Sequence, residues 1–360
     1  MSSELGNIIK LRIFGESHSQ AIGMVLDGIP PGTKIDMEKI HTFMKRRAPG
    51  RNNISTQRKE ADKPVFLSGI LNGITTGTPI CAIIENTDAR SKDYESIRNK
   101  PRPSHADYPA FVKYKEAHDI RGGGHFSGRL TAPLCIAGSI CMQILESMDI
   151  FIGAHIKSIG DVNDKAFDPV AVGEDELNSI KDKDFPCIDD DASQNMIKKI
   201  QDVKKEGDSI GGIIECCAVG LPPGLGDPIF DGIENKISRG IFGIPAVKGI
   251  EFGSGFEGSS SLGSVNNDPF YYDNGQVKTK TNNSGGILGG LSTGMPVMFN
   301  VAMKPTPSIG IEQQTVDLSR QENTTLKIQG RHDPCIVPRA VPCVEAATAT
   351  VILDLMMRKR

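Results

Sequence analysis

Three short stretches of this chain set histidines among arginines and glycines, a combination suited to proton transfer on an anion. The first is Gly15-Glu16-Ser17-His18. The second runs Arg102-Pro103-Ser104-His105-Ala106-Asp107-Tyr108 and resumes at Arg121-Gly122-Gly123-Gly124-His125-Phe126-Ser127-Gly128-Arg129. The third is Gly330-Arg331-His332-Asp333-Pro334-Cys335. Guanidinium forks grip phosphate and carboxylate with paired hydrogen bonds. Glycines let backbone N–H groups approach a ligand closely. Imidazole exchanges a proton near neutral pH. Together they imply acid–base chemistry on a multiply anionic small molecule. Taken singly, each is equally readable as a loop with a hydrogen-bonded surface histidine.

Other patterns are weaker. Gly253-Ser254-Gly255-Phe256-Glu257-Gly258 matches the dinucleotide fingerprint, but it leads into the loop-like residues 259–267, not into a helix that could meet a pyrophosphate. Gly207-Asp208-Ser209-Ile210-Gly211 matches a nucleophile elbow, yet a helix precedes it and a strand follows, the reverse of the required order. A serine hydrolase acting through Ser209 is therefore a minor reading. No HExxH, Walker A or EF-hand pattern occurs, and the histidines lack zinc spacing, so no metal is expected.

The elements that must position these groups are legible in outline. Residues 11–29 read as strand, loop, strand. Asp36 is placed to cap a helix carrying Met37, Ile40, Phe43 and Met44 on one face, with Pro49-Gly50 ending it. Residues 65–70, 79–84, 213–219 and 297–303 read as strands. Residues 130–148 and 340–357 read as long apolar helices, the first covered on every side. A further helix carries Met196, Ile200 and Val203, and another repeats Ile233, Ile237 and Ile241. Strands and helices interleave without regular βαβ alternation, which predicts α+β packing with antiparallel sheets. Nothing marks a boundary, so one domain over 1–360 is expected, with an acidic, solvated surface excursion at 160–192.

Bulk properties narrow the class. The 360 residues are 38% hydrophobic and 24% charged, as in a globular protein, and the net charge of -3 offers no global cation excess for nucleic acid or membrane. No signal peptide or membrane span is read, and the eight cysteines form no CxxC pair, so a reducing, cytoplasmic setting is expected.

Read in order, the three stretches resemble the chorismate synthase family. The resemblance extends through Asp27 to Gly32, Arg46-Arg47-Ala48-Pro49-Gly50, Thr75 to Pro79, Ile84 to Asp88, Lys205 to Gly211, Gly220 to Gly226, Ala246 to Gly249, Gly285 to Gly290, Met303 to Thr306, and Gly330 to Glu345. It covers about residues 11–355. It implies a single-domain β-α-β sandwich, with helices layered between antiparallel sheets, and a homotetramer. It implies a lyase that removes phosphate and a ring proton from 5-enolpyruvylshikimate 3-phosphate in a 1,4-elimination, giving chorismate. Reduced FMN (FMNH2) is required without net redox change; it lends electron density as phosphate departs and recovers it as the hydrogen leaves. NADPH, or a separate flavin reductase, supplies the reduction.

Carried over by position, the resemblance makes His18 the acid at the departing phosphate, His105 the proton donor to reduced flavin, and Asp333 the base near flavin N5. Ser17 orients His18 or the flavin. Arg46, Arg47, Arg102 and Arg129 become clamps for substrate or NADPH anions. FMN contacts are expected at His125, Phe126, Ser127, Pro245, Ala246, Gly289, Lys304, Pro305, Thr306, Pro307, Ser308 and Arg331. The chain departs from the common family pattern at Ser19, Ala48, Asn53, His125, Phe126, Gly128, Leu130 and Pro245, with Arg51 near enough to compensate for a lost arginine. Those departures keep a second reading in view: a non-catalytic flavin- or phosphate-binding protein on the same scaffold.

Overall fold

The computed structural model describes residues 3–50, 62–86, 98–328 and 333–358. Two five-stranded antiparallel sheets frame it. The first holds β1 (Glu4–Leu5), β2 (Lys10–Gly15), β3 (Ala21–Asp27), β4 (Val65–Ser68) and β5 (Ile80–Glu85), in the order β1-β2-β3-β5-β4. Side chains alternate across a strand, so β3 buries Ile22, Met24 and Leu26 while β5 buries Ile80, Ala82 and Ile84. The second sheet holds β6 (Phe151–Ile159), β7 (Val162–Asn163), β8 (Gly212–Val219), β9 (Val247–Phe252) and β10 (Val297–Met303), in the order β9-β10-β8-β6-β7.

The helices used below are α1 (Met37–Arg47), α2 (Asp107–Tyr114), α3 (Thr131–Glu146), α4 (Glu174–Lys181), α5 (Asp190–Lys205), α6 (Ile233–Ile241) and α7 (Val337–Arg358). α3 packs on the first sheet, α7 packs on the second, and the two pack on each other, so the order of layers is sheet, helices, sheet. That explains their composition. α3 buries 14 of its 16 residues, a helix apolar all round because it is covered all round. Residues 128–146 and 337–358 are long and apolar enough to cross a membrane, yet 89% of the most apolar 18-residue window in each lies buried inside this fold. Where α3 crosses α7, Gly138 meets Ala346 so closely that a Cβ there would stand 2.3 Å from the Ala346 Cα.

Local rules account for the ends. Asp36 caps α1, its carboxylate accepting the N–H of Glu38 at 2.9 Å and of Lys39 at 3.3 Å. Near the end of α7, buried Asp354 accepts the N–H groups of Asn7, Ile8 and Ile9 at 2.9, 2.6 and 2.9 Å, joining the last helix to the first strands.

One sequence expectation changes. Residues 160–192 are not merely a solvated excursion. Phe167, Val172, Leu177 and Ile180 converge with Cys217 and Met298 into a small second core, placing α4 over the outer face of the second sheet. The apolar anchors are few, but the fold brings all four to one place. The glycine-rich 253–258 stretch forms one short helical turn after the antiparallel strand β9, so no parallel βαβ unit surrounds it. Ser209 lies in the turn between α5 and β8, its hydroxyl donating to the Thr306 carbonyl at 2.7 Å.

Candidate active site

The glycine turn at 121–126, the start of α7 and the segments flanking β9 and β10 enclose a cavity of about 550 Å³, within the ~300–1,000 Å³ usual for small-ligand sites. Its wall is divided by chemistry. Phe126, Phe242, Ile244, Pro245, Met303, Pro307 and Ile336 supply apolar surface, and Arg47, Arg102, Arg129, Lys304 and Arg339 supply cations.

The glycine turn organises the two histidines. Gly122, Gly123 and Gly124 all take positive φ, at 63°, 100° and 53°, a conformation glycine adopts without steric cost. The turn is pinned where Ser17 N–H donates to the Gly124 carbonyl at 3.1 Å. A Cβ on Gly122 would stand 2.6 Å from His18 Nδ1 and 2.5 Å from Ser17 Oγ; one on Gly123 would stand 3.1 Å from His105 Nε2. Two imidazoles therefore rest against consecutive glycines, His105 lining the cavity and His18 buried just behind Gly122. Ser17 Oγ lies 3.2 Å from His18 Nδ1. Ser19 ties the same loop, its hydroxyl donating to the Ala21 carbonyl at 2.7 Å and accepting the Glu16 N–H at 2.9 Å.

Carboxylates hold four of these cations, and one carboxylate, Asp62, is fully buried. Asp62 bridges Arg47, at 2.5 Å, and Arg129. Burial alone would raise the Asp62 pKa, but the two guanidiniums outweigh it and hold the carboxyl below its ordinary value. Burial likewise opposes the charge on Arg47, and Asp62 reverses that, raising its pKa. Asp107 accepts from Arg102 Nε at 2.7 Å, Nη2 at 2.8 Å and backbone N–H at 3.0 Å, and lies 2.6 Å from His105 Nδ1. Those hydrogen bonds override its burial and keep it ionised far below the usual carboxylate range. Asp333 pairs with Arg339 at 2.5 Å. Burial, with Lys248 nearby, pulls the Lys304 ammonium below its ordinary value. Among the described residues, the wall's five cations thus outnumber the carboxylates of Asp62, Asp107 and Asp333, leaving a positive surplus for an anionic ligand.

Most residues singled out in the sequence line this cavity: His105 and Asp333; Arg47, Arg102 and Arg129; His125, Phe126, Ser127, Pro245, Ala246, Lys304, Thr306, Pro307 and Ser308. Three do not. Arg46 sits one position, about 100° of helix, from Arg47 and turns to α7, where Glu345 takes it in a two-point pair at 2.5 and 2.9 Å. Glu345 is fully buried and also accepts the Ala154 N–H, so Arg46 joins helices and sheet instead of facing the cavity. Gly289 lies on the exposed turn of the 287–292 hairpin, away from the cavity. Pro305 stands behind its neighbours, its nitrogen near Gly211. Arg331 falls outside the described residues, as do Arg51 and Asn53.

Sequence reasoning missed Asp62, Asp107 as a partner of His105, and Arg339. Asp107 was spelled two residues from His105; Arg339 is the third residue of α7, one position before the helix expected at 340–357; Asp62 carries no sequence signal.

The wall fits a flavin mononucleotide. Thr306 Oγ1 is buried with no hydrogen-bond partner among the described residues, a cost of ~1–3 kcal/mol for a polar group unless a ligand engages it. Ser104 and Ala246 hold positive φ, 58° and 74°, although neither is glycine, and such strain gathers at ligand sites. Apolar surface suits a planar ring system, and the cations suit its phosphate.

Sandwich and cavity together define an enzyme for a small, multiply charged anion. The family model described as chorismate synthase matches residues 9–357. A relative named chorismate synthase in Thermococcus kodakarensis is 47% identical over 99% of this chain and 98% of its own length. Another of that name, in Dehalococcoides mccartyi, is 45% identical over 99% and 97%. A crystal structure of chorismate synthase superposes with a TM-score of 0.77 at 28% identity, over 98% of this chain and 93% of that one. The chain belongs to the chorismate synthase family, and it is a lyase that forms chorismate.

Proposed function

We propose that this chain eliminates phosphate from 5-enolpyruvylshikimate 3-phosphate in the cavity beside reduced FMN. The observation that carries the reading is the cationic surplus meeting two imidazoles on one glycine turn. Reduced FMN, when bound, supplies electron density that assists phosphate departure. Phe126, Pro245, Ala246, Lys304, Thr306, Pro307 and Ser308 would hold it, with Thr306 Oγ1 gaining the partner it lacks among the described residues. Arg47, Arg102 and Arg129 grip phosphate and carboxylates and favour the charge that builds as phosphate leaves. His18 protonates the departing phosphate. His105 holds a proton at Nε2 for the flavin side, and Asp333, steadied by Arg339, receives the ring proton.

With Ala48 and Asn53 where the family commonly has arginines, reduction by a separate flavin reductase is favoured over NADPH bound to this chain. The assembly is a cytoplasmic homotetramer.

Anaerobic incubation with substrate and reduced FMN tests the reading. Phosphate release is expected; none above the protein-free control rejects it. His18→Ala and His105→Ala should each lower turnover roughly 10²–10⁴-fold with little change in Tm, and an effect below about threefold on that scale would demote both to structural roles. Firm FMN binding without turnover in the unaltered protein would favour the non-catalytic binding protein.

A further inference from the structure

His105 reaches Asp107 across two residues, from the turn before α2 to the first residue of that helix. Its Nδ1 lies 2.6 Å from Asp107 Oδ1 and 3.2 Å from Arg102 Nη2. These contacts place opposite demands on the ring. A carboxylate only accepts, so the shorter contact requires Nδ1 to carry hydrogen; the longer would require a bare Nδ1. Arg102 Nη2 has its own acceptor in Asp107 Oδ1 at 2.8 Å, so the carboxylate satisfies both neighbours and the Arg102–His105 approach needs no hydrogen bond. The other ring nitrogen points to Gly123, where the missing side chain leaves it uncovered on the cavity wall.

We propose that Asp107 is a positioning residue for the elimination. Its carboxylate keeps hydrogen on His105 Nδ1, so that proton exchange is confined to Nε2 facing the cavity. The inference rests on the reading of His105 as a proton donor. The ring then gives a proton from Nε2 as imidazolium and regains it at the same atom, Nδ1–H unchanged throughout. The logic is that of a carboxylate orienting a catalytic imidazole in a triad. The same carboxylate braces Arg102, so two effects must be separated: loss of the brace weakens substrate binding, and loss of the tautomer slows the chemical step.

The test uses full-length protein labelled with 15N-histidine, free of flavin and substrate, and solid-state NMR of the imidazole nitrogens at a pH where the rings are neutral. His105, assigned by its absence in His105→Asn, is expected to carry hydrogen on Nδ1. Asp107→Asn, whose amide N–H can face Nδ1, is expected to move that hydrogen to Nε2, and Asp107→Glu to keep it on Nδ1. In turnover, Asp107→Asn should lower kcat roughly 10²-fold or more with KM changed far less, and Asp107→Glu should recover part of the loss. An unaltered His105 with hydrogen on Nε2 overturns the proposal. So does an Asp107→Asn protein whose KM rises while kcat stays unchanged, since the carboxylate would then serve only Arg102. If the unaltered protein releases no phosphate, the functional reading falls while the NMR arm still decides the tautomer. If Asp107→Asn does not fold, the unaltered spectrum and Asp107→Glu decide it.

Discussion

His125 stands where the family commonly has arginine, and its ring is engaged in holding the chain together: Nδ1 donates to the Gly15 carbonyl at 2.8 Å and Nε2 lies 3.0 Å from Ser3 Oγ. The residue remains on the cavity wall while its polar atoms fix the loop that bears His18. A different histidine governs a pH response. His155 has no exposure and lies between Asp164, 3.0 Å from Nδ1, and Glu215, 2.9 Å from Nε2. Burial favours the neutral ring, but the two carboxylates prevail and raise its pKa above the ordinary 6.5. A raised folded value means the stabilisation is complete below the unfolded histidine value and drains away as pH rises through the folded one. Tm should therefore fall across that alkaline window, and His155→Gln should lose more Tm at about pH 6 than at about pH 9; equal losses would contradict this. At this scale the sequence showed residue type well and direction poorly. Arg46 and Arg47 look alike in a line of letters, and only the helix turn sends one to Glu345 and the other to Asp62. Asp62 was invisible because its two partners come from distant parts of the chain.

Among elements, the α3–α7 crossing is the least forgiving contact. Gly138 leaves no room for even one carbon against the Ala346 backbone, so Gly138→Val must push the two central helices apart. We expect a loss of about 3 kcal/mol, at the upper end of overpacking penalties, read as a lower urea midpoint; an unchanged midpoint would show that the helices slide freely. The helices and main strands were readable because their apolar residues recur at periods of 3.6 or 2. α3, for instance, runs Thr131–Glu146 where 130–148 was expected. The second core was not readable, since Phe167, Val172, Leu177 and Ile180 share no single period and gather only through tertiary folding.

Over the whole molecule, the most exposed large apolar side chains among the described residues fall within residues 229–272. Phe230, Phe256, Tyr272 and Leu262 are 86%, 83%, 80% and 74% exposed, and exposed apolar groups of this kind commonly mark protein contacts. For the proposed tetramer, light scattering should give four times the chain mass, and Phe230→Ser combined with Phe256→Ser should yield smaller species with the fold intact. A tetramer unmoved by both changes would place its contacts elsewhere. The layered architecture itself was legible only through family resemblance, because which sheet faces which helix is settled by contacts far apart in sequence. One such arrangement has a temporal consequence. Helix α7 shares the layer between the sheets with α3, and its Asp354 ties down the backbone of Asn7, Ile8 and Ile9, which lie 345 to 347 residues away along the chain. A contact closed over so long a loop forms late in any search through conformations, so the sheet face that α7 covers stays open while the chain refolds, and a chaperone should raise the refolded yield.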